Sequence, residues 1–465
     1  MRSGTPDFLS GNVAGLLWKF ALASAVSGLI GAMYNIVDQI FIGHYVGIIG
    51  NAATNVVFPL VTFSNAVAIM AGVGASAGFN LNLGSGKTDE AGRMVGAGLL
   101  WMAGSGLALT ILTLGRTEPI LRFFGATEEN LPYALEYQRV TACSMILFIL
   151  SVGGSAIIRA DGSPRYALAS VSLGAIVNIG LDALFMSVFH WGMVGAAWAT
   201  FAGQTFSGLM TLFYFLFCFK SLHLKWSYFC PAPVQLGKVF VLGLGPFVNH
   251  ASQTLVQILL NNALTIWGAA SIYGSDIPLA CAGIVAKVSS ITTAIVIGIA
   301  QGAQPIISFN YGAGHPLRAR ETGWLAVRVV LLFSFAVFLC FQFFPRPLTR
   351  LFGAGNPEMY YEFAEKWFRV HMLLICVSGL QITVGNFFTA LGRPMMSVLI
   401  SASRQIVAFP VLLFLLPRVW GLNGVLASGP VADGVCAVIA AVLFAMEWRR
   451  LGRRSSHMAQ GAIQA

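Results

Sequence analysis

Twelve stretches of roughly 20 or more mostly apolar residues, parted by short polar or Gly/Pro breaks, run along this chain. They lie near residues 14–41, 52–81, 92–115, 133–158, 165–189, 193–219, 236–267, 277–309, 320–344, 364–391, 395–417 and 422–447. Wound as helices, each is long enough to cross a hydrocarbon core about 30 Å thick. The pattern predicts an all-α integral membrane protein with twelve transmembrane helices.

Composition agrees with that pattern. The chain has 465 residues, 57% of them hydrophobic and 9% charged, with a mean hydropathy of +0.78. Met1 to Lys19 shows no short apolar run ending in a small-residue cleavage site, so the first hydrophobic run reads as the first span and not as a cleaved signal. The net charge of +10 could suggest nucleic acid, but its placement argues for topology instead. With both ends on one side of twelve spans, that side holds Arg2, Lys87, Arg93, Arg159, Arg165, Lys220, Lys225, Lys238, Arg318, Arg320, Arg393, Arg449, Arg450, Arg453 and Arg454. These outnumber the basic residues of the other side, which puts both termini in the cytoplasm and the protein in the inner membrane. Seven cysteines are scattered with no C-x-x-C or Cys/His spacing, so neither a disulfide framework nor a metal centre is expected.

The chain repeats itself. Asn82-Leu-Gly84-Ser-Gly86 after the second span returns as Asn310-Tyr-Gly312-Ala-Gly314 after the eighth, 228 residues on. Arg122-Phe-Phe-Gly-Ala126 returns as Arg350-Leu-Phe-Gly-Ala354, Ala160-Asp-Gly162-Ser-Pro164 as Ala390-Leu-Gly392-Arg-Pro394, and Trp191-Gly-Met-Val-Gly195 as Trp420-Gly-Leu-Asn-Gly424. Each copy holds six spans, an even number, so both enter the membrane the same way. The expected architecture is two six-helix bundles related by a pseudo-two-fold axis along the membrane normal, with a solute site between them. The expected units are an N-terminal bundle (1–220), a cytoplasmic linker (221–238), a C-terminal bundle (239–448) and a basic cytoplasmic tail (449–465).

Polar residues inside spans carry the chemistry. Asn178 and Asp182 lie four residues apart, on one face of an otherwise apolar fifth span. An acid in hydrocarbon costs at least ~2.5 to 3.5 kcal/mol, so it faces protein or water and has a use. Such an oxygen pair can share a proton network or bind a small hard cation. In the second copy the equivalent positions are Val407 and Val411, so the chemistry belongs to one half. Asp433 in the twelfth span stands opposite Gln204 of the first copy; it could contact a cationic solute or pair with Lys287 or Arg404. Asp433, Gln204 and Lys287 are the candidate solute contacts, whereas His250 and His371 read as packing residues.

The segment Tyr34-Asn-Ile-Val-Asp38-Gln-Ile-Phe-Ile-Gly43, the Gly312-Ala-Gly314 loop and the Asn178 to Asp182 pair resemble the multidrug and toxic compound extrusion (MATE) family of cation-coupled antiporters. The resemblance spans essentially the whole chain, and the fifth-span pair points to the branch with DNA-damage-inducible-type and archaeal members. It implies an ion-coupling site at Asp38, Asn178, Asp182 and Thr200 with Tyr34 nearby, able to take a proton or Na+. The proline this branch commonly carries early in the first span is missing from Phe20-Ala-Leu-Ala23, although Gly28 and Gly31 could soften that helix. At 1.5 Å per residue, Asp182 lies ~13 Å before the turn at His190-Trp191, Thr200 ~14 Å after it and Asp38 ~13 Å before Gly47, so all three share one layer.

Two strings imitate enzyme motifs. Gly84-Ser-Gly-Lys-Thr88 ends like a phosphate loop but has Leu81 where that pattern needs glycine, and its repeat lacks the lysine. Gly74-Ala-Ser-Ala-Gly78 matches a nucleophile elbow, yet its repeat, Gly302-Ala-Gln-Pro-Ile306, loses the serine. The expected function is therefore secondary active export, not catalysis: proton- or sodium-coupled antiport of drug-like, cationic amphipathic solutes by alternating access. The chain is expected to act as a monomer in the lipid bilayer, without cofactor or nucleic acid. The alternatives are a flippase for lipid-linked saccharides, for which only Lys19, Lys287, Arg328 and Arg404 offer cavity cations, and, more remotely, an intramembrane enzyme.

Overall fold

A computed structural model describes residues 8–230, 233–274, 276–352 and 358–464; Arg2, Pro231 and the repeat residues Gly353 and Ala354 lie outside them. Among the described residues there is no strand. The first six spans are Val13–Tyr45, Ile48–Gly84, Thr88–Gly115, the pair Leu131–Cys143 and Met145–Ala160, Pro164–Asp182 continued by Ala183–Val188, and Gly192–Phe213 continued by Tyr214–Cys218. The second six are Pro233–Ala269, Asp276–Gly312, Pro316–Phe343, the pair Glu358–His371 and Ile375–Ala390, Pro394–Ala402 running on through Ser403–Ala408 into Phe409–Trp420, and Leu422–Gln464.

Nine of these are apolar enough to cross a membrane as single helices, and the fourth and tenth are bent pairs that pass together. The seventh, Pro233–Ala269, has the length at 37 residues but carries Asn249, His250, Gln253, Gln257, Asn261 and Asn262. Helix formation begins at Pro233, inside the stretch expected to be linker, because proline at the first turn lacks only an N–H that would have no partner there.

The bends were not visible in the sequence. The fourth span turns by 59° at Ser144 and the tenth by 49° at the equivalent place, between His371 and Ile375. Neither break holds a proline. At the first, the Ser144 hydroxyl sits within 2.6 Å of the Gln204 side-chain oxygen, to which it donates, and within 2.9 Å of the Thr141 carbonyl.

The halves meet through a reciprocal exchange: the first span packs along the eighth and the second along the seventh. That is the contact pattern a two-fold relation demands. Close approach is possible because small residues line the crossings. A Cβ built on Gly84 would stand 2.2 Å from the Phe309 carbonyl oxygen, and one on its repeat partner Gly312 would stand 2.2 Å from the Leu81 carbonyl oxygen. Gln304 adds side-chain bonds to the Val73 carbonyl (3.2 Å) and the Ser76 hydroxyl (3.1 Å).

These contacts gather toward one end of the bundle. The start of the first span and the later part of the last lie there: Arg318 donates to the Phe8 carbonyl beside the first span, and Arg320 stacks over Trp448 of the last at 4.4 Å. Toward the opposite end the two halves part around a cavity. The connection between halves is tied down by Asp161, which is buried and accepts hydrogen bonds from the Tyr214 hydroxyl (2.7 Å) and the Lys220 and Ser221 amides (2.7 and 2.8 Å).

Candidate functional site

The cavity between the halves has a volume of about 430 Å³. It is walled by the first, second, fourth, fifth and sixth spans of one half and by the seventh and eighth of the other. Tyr34, Asn178, Thr200 and Gln204 line it. Asp38 and Asp182 do not; they are buried behind Asn178 and Thr200 at 8% and 0% exposure.

Four spans build this deeper pocket. Thr200 on the sixth span is its hub, meeting the Tyr137 hydroxyl at 3.2 Å and accepting from the Asn178 amide at 3.5 Å. Tyr137 comes from the fourth span and stands within electrostatic reach of Asp38, Tyr34 and Asp182, just as Asp38 does of Asp182. The structure thus brings Asp38, Asn178, Asp182, Thr200 and Tyr34 into one neighbourhood and adds Tyr137, which sequence reasoning missed. Its only sequence signal was a hydroxyl in an otherwise helix-forming stretch, indistinguishable from an interfacial tyrosine.

What marks the pocket chemically is what it lacks. Oδ1 of Asp38, both carboxylate oxygens of Asp182 and Oδ1 of Asn178 are buried with no hydrogen-bond partner. Buried polar atoms in native proteins are nearly always paired, so four unpartnered acceptors in one pocket mark it as the candidate site. Directly after Asp182 the helix passes into a π turn, Ala183–Val188, a distortion common at functional sites.

The candidate solute contacts separate. Gln204 lines the cavity. Asp433 does not: its carboxylate accepts from Arg404 Nε at 2.5 Å and from Gln381 at 3.1 Å. Of the two partners expected for Asp433, the structure selects Arg404; Lys287 is exposed and does not line the cavity. Arg159, counted among the loop cations, is instead buried and lines the cavity.

The family model MatE matches residues 23–184 and 251–414, one segment in each half. The chain belongs to the MatE family. This MatE chain is therefore a membrane transporter, not an enzyme. It is 25% identical to a FAD transporter of Shewanella oneidensis over 89% of this chain and 91% of that one. It is 22% identical to the multidrug export protein MepA of Staphylococcus haemolyticus over 91% of each. Among solved structures it is similar to a MATE family transporter in an outward-facing conformation, at a TM-score of 0.89 and 20% identity over 97% of this chain and 99% of that chain. A MOP superfamily transporter from Pyrococcus furiosus matches equally, with a TM-score of 0.89 and 20% identity over 97% of this chain and all of that chain. The MatE fold accounts for the two-half architecture and the cavity between the halves.

Proposed function

We propose that this transporter exports organic solutes from the cytoplasm in exchange for an inward-moving ion, bound at Asp38 and Asp182 with Asn178, Thr200 and Tyr137 around them. The observation that carries this reading is the set of buried carboxylate and amide oxygens without partners. Two carboxylates so close in a poorly solvated pocket favour sharing a positive charge over both standing ionised and bare. Either a proton or Na+ meets the requirement: a proton shared by two acids needs few fixed distances, whereas oxygens from acids, amide and hydroxyl together also suit a hard cation. We favour the proton. Relatives are named for FAD transport and for multidrug export, so organic cargo of more than one kind is named within the group.

The basic residues at the end where the first span starts put that end in the cytoplasm. The contacts between halves gather at that end, so the cavity opens outward in this state. Asn178 and Thr200 belong both to the cavity wall and to the ion pocket. Ion binding behind them and solute binding in front of them compete through shared side chains, which is the coupling antiport needs. Reloading then proceeds by rocking the halves to open the cytoplasmic end. The protein acts as a monomer in the inner membrane.

Efflux from proteoliposomes with pH and sodium gradients imposed separately tests this reading. The expected result is solute movement driven by the pH gradient alone and lost in Asp182→Asn. Transport that follows only a sodium gradient reassigns the ion, and full transport by Asp182→Asn removes the site.

A further inference from the structure

Among the residues that line the cavity, one carries a fixed charge. Arg159, at the end of the fourth span, is 6% exposed and lines the cavity. Its guanidinium donates to the Ser155 hydroxyl at 3.1 Å and, across the divide between halves, to the Gln301 side-chain oxygen at 2.8 Å. Both partners are neutral. No carboxylate appears among the residues that line the cavity, and no ion pair to Arg159 is found among the described residues. Asp38 and Asp182 sit behind Asn178 and Thr200, Asp161 is taken by the Tyr214 hydroxyl and the Lys220 and Ser221 amides, and Asp433 of the second half is held by Arg404.

An arginine kept charged inside a membrane protein without a counter-ion is expensive, and the cost is borne where the charge meets a partner. Gln301 and Ser155 engage only part of a five-donor fork built for planar oxyanions. The second copy supplies a control. Thr389 occupies the equivalent position and bonds back to the Gly385 carbonyl in its own helix, so the fold does not require a cation there.

We infer that the cavity takes an organic solute carrying an oxyanionic group, a phosphate or carboxylate, which Arg159 recognises while the rest of the solute lies against Phe58, Phe148 and Ile69. This rests on the export reading above but concerns only the cargo. It reverses the cationic preference expected from the sequence, because the acids that suggested it do not face the cavity. Binding also alters the divide between halves: an oxyanion that takes the guanidinium draws it from Gln301, loosening one of the side-chain bonds that join the halves near the cavity floor.

The test uses three probes sharing one ring: 1-naphthyl phosphate, 1-naphthol and (1-naphthylmethyl)trimethylammonium. Each is titrated by calorimetry into the purified full-length protein in a neutral detergent. The phosphate should bind about tenfold or more tighter than the other two, as a charge-assisted hydrogen bond allows. Arg159→Lys should keep the order, and Arg159→Gln should bring the phosphate level with naphthol while naphthol binding persists. Tighter or equal binding of the ammonium probe to the unaltered protein overturns the inference, and so does a phosphate preference that survives Arg159→Gln. Repeating the titration in nanodiscs with and without phosphatidylglycerol locates the source: competition by that lipid assigns the oxyanion to a headgroup, and its absence to a soluble solute. Asp182→Asn should retain the phosphate preference, so loss of coupled export and loss of oxyanion recognition are told apart.

Discussion

The two halves of this transporter share a fold and even the same unexpected bend, yet they treat buried charge in opposite ways. In the first half, Asp38 and Asp182 stand among orphaned oxygens, with no cation at hand. In the second, Asp433 is closed off by Arg404 at 2.5 Å and Gln381 at 3.1 Å. A carboxylate already neutralised has nothing left to recruit, whereas one left bare binds whatever positive charge can reach it. The difference teaches that duplication supplied a common frame in which one copy pairs its buried acid internally and the other leaves its acids without partners.

Substitution at the two acids should separate the halves most sharply. Asp182→Asn and Asp38→Asn should each reduce gradient-driven efflux to the passive leak while leaving yield and thermal unfolding nearly unchanged, since neither removes a protein hydrogen bond that the structure contains. Proteoliposome efflux and melting curves on the same preparations check this. Efflux at the unaltered rate in both variants would falsify the distinction.

Asp433→Asn should behave in the opposite manner. It strands Arg404, and breaking a buried pair costs about 3 kcal/mol or more, so the variant should melt early and yield poorly. Changing both partners to similar-sized apolar residues, Arg404→Met with Asp433→Leu, should recover most of that loss. A melting temperature for Asp433→Asn equal to that of the parent would show the pair to be dispensable.

Where the copies are symmetric, matched substitutions should cost the same. Gly84→Ala and Gly312→Ala each place a methyl 2.2 Å from a backbone oxygen of the other half. Each should destabilise by about 1 to 3 kcal/mol through overpacking, and each should favour separation of the halves at that end. Thermal unfolding of the two variants side by side gives the comparison; a tolerated change at one glycine alone would break it.

The smallest effect concerns the bends. Ser144→Ala removes the bond to Gln204 and should cost about 1 kcal/mol, with transport retained. The tenth span bends at the equivalent place with Leu373 where the fourth has Ser144, so the bend belongs to the packing of each half and the hydroxyl only fits it. A transport-dead Ser144→Ala that melts normally would show that the serine does more.

What the sequence determined by itself were properties that each residue carries alone. Apolar runs had to become spans because unpaired backbone groups cannot be left in hydrocarbon, and four echoes at nearly constant spacing required a duplicated fold. Asp182 had to face protein, since its cost in lipid does not depend on which neighbour it meets. Tertiary structure decided the pairings. Whether Asp433 met Lys287 or Arg404, whether Tyr137 reached Thr200, and whether Arg159 ended in a loop or in the cavity wall all turned on distances of a few ångströms between residues far apart in sequence. Electrostatic and hydrogen-bond energies fall away over such distances, so no one-dimensional pattern encodes them. The cavity itself carries a cation and no acid because the fold turned Arg159 toward it and set Asp38 and Asp182 one layer behind.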